Sequence, residues 1–246
     1  MRIAFHFRLI PFIAALVVAA IGILLGNWQQ GRAAQKTELQ ARLAARTAEP
    51  PLVLGPAAAA IPSSDMAQLE FRRIRMSGEF VSNWPVFLSN RPMNGQPGYV
   101  LAMPFKIAGA GTHVLVLRGW LPRQAEYGKL PPFATPAGLV TVEGQVVASA
   151  GKVMELGGGQ ALKPGELVQN LAPQDLARVS GLALSPFLVQ QTAPAAPGDK
   201  LARDWPLPSS GIDKHRGYAF QWYALAAMAI LFFVITGFRS GSKKRD

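Results

Sequence analysis

The sequence predicts a membrane protein in which two transmembrane helices, one N-terminal and one C-terminal, flank a mainly antiparallel β domain of α+β type outside the cytoplasm. Two observations carry this. Apolar runs at residues 9–25 and 217–238 lie at opposite ends of a 246-residue chain that is 50% hydrophobic and only 16% charged. Between them the pattern changes to short β-prone runs bounded by Gly, Pro and Asn, which is how strands read.

The first run is interrupted only by Pro11, in what would be the first helical turn, where proline is tolerated. A cleaved signal peptide is the competing reading. Trp28, Gln29 and Gln30 occupy the place where a small-x-small cleavage site would stand, which favours an uncleaved anchor. The segment after it, NWQQGRAAQKTELQARLAAR, is rich in helix formers and has no proline, so the helix is expected to continue out of the membrane. Trp28, Arg32, Lys36 and Leu39 then share a face, as an interfacial tryptophan with snorkelling cations would. A Pro- and Ala-rich linker over 50–62 leads into expected strands at 73–81, 86–90, 99–107, 113–120 and 139–148, a short helix at 174–179 after Pro173, and a strand at 187–192. A loop rich in Pro and Gly, 194–210, returns the chain to the second run.

That second run is long enough to cross a hydrocarbon core of about 30 Å with some tilt. Tyr218, Trp222 and Tyr223 at its start suit the headgroup level, and Arg239, Lys243, Lys244 and Arg245 follow it. The positive-inside rule puts this basic tail in the cytoplasm, and two spans then put both termini there. The expected organisation is a cytoplasmic N-terminus (1–8), a first transmembrane helix (9–26), a helical extension (27–48), a β-rich domain (49–212), a second transmembrane helix (213–238) and a basic tail (239–246). The location implied is the cell inner membrane, with the central domain periplasmic.

The formal charge of +11 could suggest nucleic acid, but no dense Lys/Arg run lies beside aromatics. Arg2, Arg8 and the C-terminal cations flank the apolar runs instead, which suits the headgroups of a lipid bilayer. Catalytic chemistry lacks its residues. There is no cysteine, and the three histidines are His6, His113 and His215. No Gly-x-Ser-x-Gly elbow and no ligand-spaced His/Asp/Glu pair is present. Gly157, Gly158 and Gly159 lack a Walker sequel, and Met66, Met76, Met93, Met103 and Met154 are too scattered for a copper site. No enzyme is expected.

His215 stands apart. It precedes the second run, with Tyr218, Ala219 and Trp222 at i+3, i+4 and i+7 on the same helical face. An ionisable residue at the mouth of a transmembrane helix is a functional candidate, and neutral imidazole is a common ligand of haem iron. Small Ala219 and Ala226 would leave room on that face for a flat ring, with Trp222 lining it. An interfacial histidine contacting headgroups is the alternative. His6 falls at the opposite end of the spans and is not a partner on the same haem.

Several blocks, in order, give the chain a family resemblance: Gly26-Asn27-Trp28-Gln29-Gln30-Gly31-Arg32 with Lys36, Phe71-Arg72-Arg73, Gly78-Glu79-Phe80, Asn90-Arg91, Gly98-Tyr99, Arg118-Gly119-Trp120-Leu121-Pro122, and His215-Arg216-Gly217-Tyr218-Ala219-Phe220-Gln221-Trp222-Tyr223. The chain resembles the surfeit locus protein one family of cytochrome c oxidase assembly factors. Leu117 departs from the Asn that many members carry before Arg-Gly-Trp, and Tyr223 replaces a Phe. The resemblance implies a haem a chaperone that receives its cargo from haem a synthase and helps place it in the oxidase catalytic subunit. His215 would be the iron ligand, with Tyr218 and Trp222 beside the ring and Arg216, Arg118 or Arg91 meeting the propionates. An anchored scaffold that binds oxidase subunits without haem is the other reading.

Overall fold

A computed structural model describes residues 5–56, 66–126, 129–151, 153, 162–194, 198–206 and 211–243, with side chains of the last helix described as far as residue 238. Arg2, residues 57–62 of the expected linker, Met154, the Gly157-Gly158-Gly159 run, parts of the 194–210 loop, Lys244 and Arg245 lie outside the described residues. So do the side chains of Arg239 and Lys243.

The chain forms two compact units. Residues 1–42 and 207–246 make one, and residues 43–206 the other. The first is built on helix α1 (Leu9–Ala48) and helix α4 (Ile212–Lys243). Both contain windows long and apolar enough to cross a membrane. Helix α1 has 40 residues, so at about 1.5 Å per residue it is about twice as long as a hydrocarbon core is thick.

The second unit is a sheet wound into a small barrel. Its strands are β1 (Leu52–Leu54), β2 (Arg73–Phe80), β3 (Val86–Leu88), β4 (Gly98–Ile107), β5 (His113–Pro122), β6 (Val140–Val147), β7 (Leu167–Val168) and β8 (Leu184–Gln191). Helix α2 (Met66–Leu69) precedes β2, and helix α3 (Pro173–Ser180) precedes β8. The order is β1-β2-β6-β8-β5-β4-β3-β7, and β2 also pairs with β4, closing β2, β6, β8, β5 and β4 into a ring. Closure happens at Gly78, which pairs with Val140 of β6 and Ile107 of β4. A Cβ at Gly78 would run into the Lys106 carbonyl, so only glycine lets β4 approach there. Most pairings are antiparallel; β5 with β8, β1 with β2 and β3 with β7 are parallel.

All five ring strands contribute to one apolar cluster that includes Ile74, Met76, Phe105, Val114, Val116, Val142 and Phe187. That fits the filled interior of a small barrel. Strand β2 alternates buried and exposed residues, whereas β4 and β5 are buried nearly throughout. The second face of β5 explains the difference. Leu115 and Leu117 join Leu88, Val168, Leu171 and Leu176 in another cluster that draws on β3, β7 and α3. Leu117, where an Asn is common in the resembled family, is 1% exposed in this apolar layer.

The expected strands and the 174–179 helix all occur, with three differences. The linker contains β1, where Leu52, Val53 and Leu54 pair with β2 although prolines flank them. Strand β7 and helix α2 are too short to show a periodicity. Strand β8 begins at Leu184 rather than 187, because Pro186 sits inside an irregular stretch of the β5–β8 ladder, where its missing N–H breaks no regular bond.

Candidate functional site: the paired helices around His215

Along α1 the residues turned away from solvent include Ala15, Ala19, Gly22, Gly26, Gln29, Ala33 and Lys36, at alternating spacings of four and three. Along α4 they include His215, Ala219, Trp222, Ala226, Ala229, Phe233 and Thr236, with the same alternation. A seam repeating every 3.5 residues is that of two helices packed side by side. Its small residues let the backbones approach closely, as packing within a bilayer requires. A Cβ on Gly22 would lie 2.8 Å from the Trp222 carbonyl oxygen and 3.0 Å from Ala226 Cβ, and one on Gly26 would enter the Tyr223 ring. The helices run antiparallel: the His6 amide donates to the Gly237 carbonyl at one end, and His215 meets Gln29 towards the other.

This packing corrects one expectation. Ala219 and Ala226 are 1% and 5% exposed because α1 fills the space in front of them, so their small size serves helix pairing and leaves no slot for a flat ring.

His215 is half-buried at the edge of the seam, and its Nδ1 lies 2.7 Å from Gln29 Oε1. A carboxamide oxygen only accepts, so this contact suits a ring that carries a proton on Nδ1, with Nε2 not engaged by Gln29. Nearby, the Tyr223 hydroxyl donates to Asn27 Oδ1 at 2.7 Å. Tyr218 is 53% and Trp28 56% exposed, and the Arg32 guanidinium lies 6.0 Å from the Trp28 ring centre. The exposed Arg216 lies 3.8 Å from Asp213, and with Gln30, Ala33, Ala34 and Thr37 it borders a shallow groove of about 460 Å³. The chemistry available here is an imidazole with Nδ1 engaged by Gln29, exposed aromatics and unburied cations. His6 is placed at the far end of the helix pair, as expected.

The other two expected arginines belong to the β unit. Arg118 on β5 is 2% exposed; it donates to the Ala134 carbonyl (2.9 Å) and Thr135 Oγ1 (3.2 Å), approaches Met103 Sδ, and lies 4.6 Å from the Phe80 ring centre. Burial pulls its pKa down to about 10, against the opposing pull of Asp199, while Arg203 adds to the lowering. Arg91 donates to the carbonyls of Gly151 and Gln169, each at 2.9 Å, and burial lowers its pKa too. Thus His215, Tyr218, Trp222 and Arg216 lie together in the helical unit, whereas Arg118 and Arg91 bind carbonyls within the β unit.

His113 is held in the wall of the barrel with Nδ1 3.3 Å from the Ala183 carbonyl. Among the described residues no group of three or more His, Asp or Glu side chains could hold a metal ion. Sequence reasoning missed Gln29 as the partner of His215. The two are 186 residues apart, and only the shared 3.5-residue spacing of small and half-buried residues on both helices points to the contact.

Comparison with known proteins agrees with the resemblance. A SURF1-like protein of Monosiga brevicollis is 24% identical over 250 aligned positions, covering 94% of this chain and 88% of that protein. The cytochrome oxidase assembly protein SHY1 of Saccharomyces cerevisiae is 34% identical over a shorter stretch, 41% of this chain and 25% of the yeast protein. Surfeit locus protein 1 of Takifugu rubripes is 29% identical over 54% of this chain and 58% of its own. The SURF1 family model matches residues 16–227, from the seam of α1 through the barrel to the far side of Trp222, and the chain therefore belongs to the SURF1 family.

Proposed function

We propose that this protein is a non-catalytic assembly factor for a haem-copper cytochrome oxidase, holding haem a through His215 and passing it to the oxidase catalytic subunit. The yeast relative is named as a cytochrome oxidase assembly protein, which supports the oxidase as client. The observation that carries the haem reading is the His215–Gln29 contact, since an imidazole whose Nδ1 proton is engaged offers Nε2 to iron. Exposed Tyr218 and Trp28 offer apolar surface for a macrocycle, and exposed Arg216 offers a cation for a propionate. Haem a synthase is the proposed donor. A single protein ligand at a bilayer surface suits a carrier, which must release what it holds. In this reading the basic tail lies in the cytoplasm and the barrel unit on the opposite side, at the periplasmic face of the inner membrane.

A second reading, a scaffold that binds oxidase subunits and no haem, is favoured by the same contact seen differently: the His215 ring joins α1 to α4 and could serve only that purpose. Spectra decide between them. The detergent-purified protein and its His215→Ala variant are each co-produced with the haem a synthesis enzymes, and the pigment is extracted and identified. Near-stoichiometric haem a in the parent and little in the variant supports the carrier. Pigment in neither supports the scaffold, and equal pigment in both removes His215 as ligand.

A further inference from the structure

We infer that Gln29 is the positioning residue for His215: its side-chain oxygen fixes the imidazole proton on Nδ1, so that Nε2 is the nitrogen delivered to the ligand. The inference rests on the carrier reading of His215 and adds a residue of the other helix to that site. It follows from inventory and distance. A neutral imidazole has one ring proton, Gln29 Oε1 has none to give, and 2.7 Å is a full hydrogen bond, so only the Nδ1–H tautomer satisfies both groups. An acceptor on the remote nitrogen also makes the coordinating nitrogen more basic and fixes the ring plane.

Gln29 reaches His215 because of its neighbours. Gly22 and Gly26 stand two turns and one turn before it on the same seam, where larger side chains would meet the Trp222 carbonyl and the Tyr223 ring. Asn27, two positions before Gln29, accepts the Tyr223 hydroxyl, so two interhelical hydrogen bonds hold this part of the pair. The tautomer of His215 is thereby tied to helix pairing. Separated helices leave the ring free to carry its proton on either nitrogen, and paired helices select one.

A merely adhesive Gln29 would also weaken the helix pair when removed, so the test must read the ring itself. With three histidines in the chain, ¹⁵N-histidine labelling of the full protein in lipid resolves His215, which a His215→Ala sample identifies. At mildly alkaline pH the parent is expected to show His215 protonated on Nδ1. Gln29→Leu shifts it to a mixture or to Nε2–H, Gln29→Glu restores Nδ1–H by supplying an acceptor, and Tyr223→Phe, which breaks the neighbouring link, leaves it unchanged. Haem affinity should fall about 10- to 100-fold in Gln29→Leu and recover in Gln29→Glu. A parent ring protonated on Nε2, an unchanged tautomer or affinity in Gln29→Leu, or a Tyr223→Phe spectrum like that of Gln29→Leu overturns the role of Gln29. Pigment retained by His215→Ala overturns the ligand reading instead, and the tautomer spectra, which need no pigment, still report on Gln29 alone.

Discussion

His113 and His215 show how the two units use the same side chain. In the barrel, His113 is 9% exposed, with Nδ1 against the Ala183 carbonyl and its ring in the wall between β5 and β8. In the helix pair, His215 makes the same kind of contact with an acceptor supplied by another helix, at a half-buried edge. The arginines divide alike: Arg118 and Arg91 serve carbonyls of the barrel unit, whereas Arg216 stays in solvent beside an exposed aspartate. His113, Arg118 and Arg91 thus bond within the barrel unit, whereas Arg216 stays exposed. In the carrier proposed above, the β unit is then a support and the ligand chemistry lies on the helices.

The contrast can be broken most forcefully at Arg118. Arg118→Leu removes a 2%-exposed side chain that donates to the Ala134 carbonyl and Thr135 Oγ1 and packs on the Phe80 ring, and should cost the β unit about 3 kcal/mol. Thermal or denaturant unfolding checks this. Haem retention by the folded fraction should be unchanged, and a pigment-free but fully stable Arg118→Leu protein would reverse the division drawn here.

A smaller effect is expected in the helical unit. Gly26→Leu forces a side chain into the Tyr223 ring and should weaken the helix pair by about 2 kcal/mol, while barrel unfolding stays as in the parent. Because the chain has no cysteine, pairs introduced across the seam report pairing directly by crosslinking yield. Equal yields in parent and variant would mean that close approach at Gly26 is dispensable.

The smallest effect concerns pH. Burial lowers the pKa of His113 from its ordinary 6.5; the Ala183 bond partly opposes this, and Lys106 adds repulsion. The unfolded chain therefore binds a proton at a higher pH than the folded one, so this group favours unfolding as pH falls through 6.5 towards the lowered value. Unfolding midpoints of the parent should fall over that window, and those of His113→Asn should fall less. Identical pH profiles would show that His113 titrates normally.

Much of this was legible beforehand, for reasons that differ by element. The two spans follow from hydropathy alone. Strands β2, β4, β5 and β6 were readable because each is eight or ten residues long and bounded by turn residues. The ring was not readable: the β2–β4 closure at Gly78 and the parallel β5–β8 pairing join segments whose partnership depends on the whole sheet. At the site, His215 stood out through its place before an apolar run. Ala219 and Ala226 were misread as space for cargo because a small residue on a helix face looks the same whether it faces a ligand or another backbone. Gln29 lay within a block that marked the family, but its purpose appears only when α4 is laid against α1.

The position of β8 in the ring has a consequence for how the protein is made. It is the last strand among the described residues, yet it sits between β5 and β6 and hydrogen-bonds to both. Until Leu184–Gln191 has been synthesised, the nascent barrel has a gap flanked by two unpaired strand edges, open to any extended peptide nearby. Closure spans about 70 residues of intervening chain from β5, the kind of distant contact that makes folding slow. A chain halted before residue 184 would keep that gap permanently, and quality-control proteases should remove it far faster than one halted after 191.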